Sequence, residues 1–497
     1  MSLIAYLVIT FGYAGLAIAL RGRRRWAIVV GLTGLAAAIV AAVAMDPAET
    51  IVIGGGGLVT TTYLRLFLVL GSVVGLALAV GGLASGTRRD ATAVTLAILG
   101  TCGLMMALVD PRAAVLVATA GALFGVLVTL VPNGGRAGAA VGIREIRAVV
   151  VAGSLAIAAT AWIGRDLSQL SAQPVVFGLA YLAFAVAVAM RFGAIPFHLW
   201  AARLTDVVPE TALPILTALA PAAFAVVALA WIDASVAPLP LDLSAERALI
   251  LAVGISSIVL AAIAAFVQDD IEHVLGYSIV GDAGVIVLSL ATLGPDGWIA
   301  ARTWILGFVV ARSAFAAWTA AIRAGFFTGR IADLRGWARR SPVLVVALGL
   351  VIVASVGFPG LAAFDARASV VNLAIGAPLS ILVQLATLAP LLYYGRLLVI
   401  GLAAPDRMIG PADAWRPRID PPDVTALRRW ILVSWNANHA FTTAWVAALL
   451  GLLALATAGG AFGGPAAAAG LPPTMGVPGE IGSPTGSGEP PIESVGP

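Results

Sequence analysis

Apolar residues run through this chain in long, nearly uninterrupted blocks, not in the narrow stripes of amphipathic helices or the alternation of half-buried strands. A bilayer core about 30 Å thick asks for about 20 such residues per spanning helix. On that measure the blocks predict spans at 2–20, 26–45, 63–84, 91–109, 113–131, 148–163, 175–197, 211–232, 248–267, 274–293, 298–322, 343–363, 376–401 and 437–463. The fold class expected is all-α integral membrane with about 14 transmembrane helices. Asp110-Pro111-Arg112 separates the fourth and fifth spans and marks a tight pair. The first span is followed by Arg21, Arg23, Arg24 and Arg25 without a small-residue cleavage site, so it reads as an anchor and not a signal peptide.

Polar positions between the blocks give an orientation. Odd-numbered loops carry the arginines: four at 21–25, two at 88–89, three at 136–147, five at 323–340 and five at 407–429. Even-numbered loops hold acids instead, among them Asp46, Glu49, Asp233, Asp242 and Glu246. The positive-inside rule then puts both termini on the outer side of a bacterial inner membrane. The stretch 464–497 is rich in Gly, Pro and Ser and is expected to be a disordered tail.

The chain also resembles itself. Thr217-Ala218-Leu219-Ala220-Pro221 in span 8 is similar to Ala386-Thr387-Leu388-Ala389-Pro390 in span 13, and spans 7 and 12 each run into a proline followed by an arginine. An offset of five spans pairs helices that start on opposite sides, as in an inverted-topology repeat. The expected organisation is N-terminal helices over 1–109, repeats over 110–235 and 246–402, and a cytoplasmic loop with the last helix over 403–463.

Composition narrows the chemistry. Of 497 residues, 61% are hydrophobic and only 11% charged, against about 25% charged in soluble domains. All 29 basic residues are arginine. Without lysine there is neither a Walker phosphate loop nor a pyridoxal Schiff base. One cysteine, Cys102, and three scattered histidines, His198, His273 and His439, leave no metal-ligand pattern and no redox cofactor to expect.

Four interruptions of the apolar pattern carry the candidate chemistry, because charged groups inside spans are costly and usually functional. Arg191 lies five residues before Pro196, in a run continuing through Phe197, His198 and Trp200; Pro196 breaks the helix, so Arg191 either snorkels to the interface or lines a wet cavity. Asp269, Asp270, Glu272 and His273 form a charged turn before span 10, and Asp282 follows about ten residues inside that span. Arg312 sits near the middle of span 11, where insertion costs roughly 2.5–3.5 kcal/mol; Asp282 is its candidate partner. Gly357 to Gly360, with Pro359 between, break span 12 ahead of Asp365 and Arg367.

Taken in order, these positions resemble the antiporter-like, proton-conducting membrane subunits of respiratory complex I, which are related to Mrp cation/proton antiporter and membrane-bound hydrogenase subunits. The family pattern Lys-x-x-x-x-Pro-Phe-His-x-Trp is matched by Arg191, Pro196, Phe197, His198 and Trp200. Its span-10 pattern is matched by Asp270-Ile271-Glu272-His273 through Tyr277-Ser278, and its Asp-Leu-x-Gly pattern by Asp333-Leu334-Arg335-Gly336. Its span-12 pattern is matched by Gly357 to Arg367.

The resemblance implies an inverted repeat of spans 4–8 and 9–13, and broken helices at spans 7 and 12. It also implies an ion path through Arg191, His198, Asp270, Glu272, His273, Asp282, Arg312, Asp365 and Arg367. The expected function is the membrane-arm subunit of a complex I-like NADH-quinone oxidoreductase, of subunit N or M type. Its partners would be other membrane-arm subunits and the bilayer, with quinone met only through them. Departures from the family are systematic. Arg191 and Arg367 stand where the family has lysine, its span-8 lysine falls at about Pro221 or Ala222, and its span-5 glutamate falls near Thr119, in a run with no acid. Since arginine does not release its proton in proteins, the relay would be rewired through His198, Asp282, Glu272 and His273. A non-pumping structural subunit and an Mrp-type subunit are the alternatives.

Overall fold

The computed structural model describes residues 1–53, 56–86, 91–130, 135–162, 174–238, 241–376, 378–404 and 426–462. The Arg88–Arg89 pair, most of the arginine-rich stretch 407–429 and the tail from 464 lie outside them.

The first helices are α1 (Leu3–Ala19), α2 (Arg24–Val43), α3 (Thr62–Ala84), α4 (Thr92–Ala107), α5 (Pro111–Leu130), α6 (Gly135–Trp162) and α7 (Pro174–Phe192). Serine and threonine start two of them: Ser2 accepts from the Ala5 N–H at 3.3 Å and Thr61 from the Leu64 N–H at 3.1 Å. A two-stranded hairpin, β1 (Thr50–Ile53) and β2 (Gly56–Val59), joins α2 to α3 and is the one departure from an all-helical fold among the described residues. α6 begins at Gly135, so Arg144, Glu145 and Arg147, expected in a loop, are helical.

The second half holds α8 (Ala201–Leu204), α9 (Ala220–Ser235), α10 (Ser244–Val267), α11 (Ile271–Ser289) and α12 (Pro295–Phe326). It continues with α13 (Trp337–Arg340), α14 (Pro342–Val356), α15 (Ala362–Ile375), α16 (Leu379–Ala386), α17 (Pro390–Leu402) and α18 (Ala426–Ala458). Ten described helices or helix pairs are long and apolar enough to cross a membrane, and α1, α4 and α14 are shorter apolar helices. The chain is thus a multi-span membrane protein. Large apolar side chains such as Val8, Val40, Leu260, Val346, Leu382 and Val399 stand exposed on the outside of the bundle, as a lipid-facing shell requires.

α12 is the axis of this half. Its 32 residues extend about 48 Å, and it packs against α3, α11, α14, α15 and α18. Breaks fall where the sequence places proline and glycine. After α7, Gly193 takes a positive φ of 63° and Pro196 leads into a 3-10 turn at Phe197–Leu199. After α14, Gly357 and Gly360 adopt φ of 64° and 94° around Pro359 before α15 resumes. Both self-similar motifs also interrupt their helices. Ile215–Leu219 is a π turn ahead of Pro221, and Thr387–Ala389 separates α16 from α17, splitting the expected span 13. Hydroxyls inside the helices bond back to carbonyls of the preceding turn: Thr217 donates to the Leu213 carbonyl at 2.8 Å and Ser313 to that of Val309 at 2.7 Å.

α10 and α11 cross at glycine. A methyl group on Gly284 would lie 2.7 Å from the Gly254 carbonyl oxygen and 3.1 Å from the Ile258 nitrogen, both backbone atoms that cannot swing aside. Gly284→Ala is therefore expected to part these helices and destabilise the fold by about 1–3 kcal/mol. A lowered thermal unfolding midpoint of the detergent-solubilised protein checks this; an unchanged midpoint contradicts the close crossing.

Candidate ion pathway

The centre of the second half is an ion contact between neighbouring helices. Asp282 on α11 and Arg312 on α12 meet at 3.0 Å, with the arginine fully buried and the aspartate nearly so. This is the partner the sequence assigns to Arg312. The contact is not aligned as a hydrogen bond, and all three guanidinium nitrogens lack one. Phe315, one helical turn on, offers its ring face to the cation at 5.9 Å. Arg367, from the first turns of α15, is also buried and lies over the rings of Trp304 at 5.7 Å and Phe364 at 5.6 Å. Trp304 in turn donates from Nε1 to the Asp282 carbonyl at 3.3 Å. Two arginines thus converge on one carboxylate, and the charge of each acts on it.

Beside this group is a small cavity lined by Tyr277, Ser278, Asp282, Trp304, Arg367 and Tyr393, among others. It offers about 10 Å³ to the centre of a water molecule, roughly the room one water needs, and it has the polar walls to hold one. The broken helices account for its position: the interruption after α14 lets α15 bring Arg367 inward, and Pro390 at the start of α17 places Tyr393 opposite.

α11 leads from this cavity to a second cluster at its own beginning. Ile271 N–H donates to the Gly329 carbonyl at 2.9 Å and Ile331 N–H to that of Asp269 at 2.8 Å, tying the turn around Asp270 to the segment after α12. There Arg323, in the last turn of α12, contacts both Glu272 and Glu210. His273 Nε2 lies 3.0 Å from Asp206, and Arg203 lies 3.6 Å from the same carboxyl. Between cluster and cavity, the His198 ring sits 6.4 Å from that of Tyr277, and its Nδ1 is buried without a partner.

Two expected site residues lie apart from this line. Asp365 is exposed and turns away from Arg367, since positions i and i+2 do not share a helix face; it lines an open groove of about 630 Å³ with Asp296, Thr303, Ser369 and Asn372. Arg191 is buried in the last turn of α7, which excludes snorkelling, but it belongs to the other half of the molecule. Its neighbourhood holds an acid that the sequence reading missed. Thr119 on α5 lies near no acid of its own helix and donates to the Val115 carbonyl at 2.8 Å. Glu145 on α6, however, is 4% exposed, and its charge acts on Arg191. Set between Arg144 and Arg147, it looked like part of a basic loop. Glu210 was likewise overlooked, since a lone acid beside Pro209 carries no pattern.

Several known proteins are similar to this chain. The profile of the family described as NADH:quinone oxidoreductase/Mrp antiporter, TM, matches residues 152–392. NADH-quinone oxidoreductase subunit N of Halorhodospira halophila is 32% identical over 232 residues, 45% of this chain and 46% of that protein. The chain thus spans about half the length of the curated relatives it matches. Among solved structures, a chain of the Mrp complex from Dietzia sp. superposes with a TM-score of 0.73 at 19% identity, covering 94% of this chain and 96% of that one. A chain of respiratory complex I from Thermus thermophilus superposes with a TM-score of 0.62 at 18% identity, covering 91% and 99%. Structural likeness at such identity shows the fold that these membrane subunits share, and within it residues 152–392 match the transmembrane domain described as NADH:quinone oxidoreductase/Mrp antiporter.

Proposed function

We propose that this chain is a membrane-arm subunit of a complex I-like NADH-quinone oxidoreductase in a bacterial inner membrane, translocating protons or another cation while partner subunits reduce quinone. The observation that carries the reading is the buried Asp282–Arg312 contact beside a water-sized polar cavity. A charge pair of this kind adds little net stability, because desolvation of the two ions offsets their attraction. Its presence within apolar helices is therefore better accounted for by ion movement than by folding.

In this reading the carboxylates and histidines carry the proton and the arginines hold fixed positive charge. A proton entering at Glu272 or His273, beside Asp270, would pass His198, Tyr277 and the cavity water to reach Asp282. Arg312 and Arg367 keep Asp282 from holding the proton too long, and the groove at Asp365 is an exit on the far side. The division at residues 109, 235, 246 and 402, with both termini on the outer side, belongs to the same proposal. The arginines at the family's lysine positions favour a second reading, a structural subunit of the same assembly that moves no ion.

Replacing Asp282 by Asn leaves Arg312 without a counter-charge, which costs about 3–5 kcal/mol if the cation stays buried. The double variant Asp282→Asn/Arg312→Gln removes both charges and is expected to assemble. In proteoliposomes holding the whole complex, both variants should reduce quinone yet move at least tenfold fewer ions per electron. Coupling at the normal ratio would instead support the structural reading. Arg312→Lys retains the charge and is expected to keep most of the ion movement, measured in the same vesicles.

A further inference from the structure

Buried carboxylates inside the described helices are few. Among the acids with less than a tenth of their surface exposed, Asp282 belongs to α11, Glu145 to α6, and Glu210 to the segment between α8 and the π turn. Glu210 has its counter-charge in Arg323, and Asp282 has Arg312. Glu145 has no such contact. Its Oε2 is buried with no hydrogen-bond partner, and it lies ten residues into a 28-residue helix, on the buried face between the exposed Arg144 and Arg147.

A deprotonated carboxylate in that position needs a cation, and the structure supplies one at a remove. α6 packs along α7, whose last turn carries Arg191, 7% exposed. Glu145 and Arg191 make no ion pair with each other, yet the charge of each acts on the other. The other ionisable group that bears on Arg191 is Cys102, buried on α4. An acid held near a buried cation, but not against it, keeps one oxygen free to take up a proton or a water. A pure structural pair would close to contact, as Arg323 closes on Glu210.

We infer that Glu145 is a second proton-carrying site, placed in the first half of the molecule, with Arg191 as its fixed positive charge. Each half then contains one buried helical carboxylate under the influence of a buried arginine from another helix: Glu145 with Arg191 at a remove, and Asp282 with Arg312 in contact. In the cycle, the Glu145 carboxylate accepts a proton from water on one side, becoming neutral, and returns it to water on the other. Arg191 retains its charge throughout and lowers the cost of the ionised state. This inference rests on the ion-translocating reading.

Its test uses the complete complex, first in detergent and then in vesicles, with Glu145→Gln, Glu145→Asp and Asp282→Asn compared. Infrared difference spectra between acidic and alkaline buffer report buried carboxyl groups directly. A protonated-carboxyl carbonyl band that Glu145→Gln removes, Glu145→Asp shifts and Asp282→Asn leaves in place is the expected result. In vesicles, Glu145→Gln should lower ion movement per electron at least tenfold, with Glu145→Asp recovering a substantial part. If Glu145→Gln keeps every carboxyl band and full ion movement while Asp282→Asn abolishes it, the assignment of Glu145 is overturned and the general reading stands. If no form moves ions but the band is lost in Glu145→Gln, the translocation reading fails while Glu145 remains a buried site that binds protons. Should Glu145→Gln fail to assemble, Glu145→Asp and the neutral pair Glu145→Gln/Arg191→Gln decide the same question through the same band.

Discussion

An arginine in the middle of a membrane helix must be neutralised, and much of the second half of this protein is arranged around that requirement. Arg312 lies halfway along α12, and α12 is enclosed by other helices on all sides. Its charge cannot reach a headgroup, so a carboxylate has to come to it. Asp282 does so from α11, whose other side is held close to α10 at Gly254 and Gly284. The helix breaks follow the same logic. Without the turn at Gly357–Gly360, Arg367 would continue along the line of α14 rather than lie over Trp304 beside Asp282.

The absence of lysine, with arginine at two of the family's lysine positions, changes what such a centre can do. Lysine, desolvated, can give up its proton; arginine holds charge and spreads it over a plane that stacks on aromatic rings. Arg312 over Phe315 and Arg367 over Trp304 and Phe364 illustrate the second behaviour. Positive charge is therefore permanent along the proposed path, and in that proposal only the acids and histidines change state. The positions of those groups, and not of the arginines, determine where a proton can rest.

The helical breaks, the pairing of Arg312 with Asp282 and the self-similar motifs were legible in the sequence, because each is a local exception in an otherwise apolar background. Proline and glycine interrupt helices wherever they fall, and a single cation and a single acid on successive spans have few other partners. Other features left no such mark. Glu145 sits among arginines that made its segment look like a basic loop, and Glu210 is one acid in an irregular stretch. Asp365 is two residues from Arg367, and helix geometry turns it to the exposed groove while Arg367 points inward.

The sequence by itself determined that this is a membrane protein of many spans, where its helices break, and which rare charges lie inside them, since those follow from hydropathy and from backbone constraints that act locally. Only the tertiary structure decided which charges meet. Whether Arg323 bridges Glu210 and Glu272, Glu145 is buried within the influence of Arg191, or Asp365 opens into its own groove depends on helix rotation and on the close crossings that small residues permit. Those are contacts between segments far apart in the chain, and no local pattern records them.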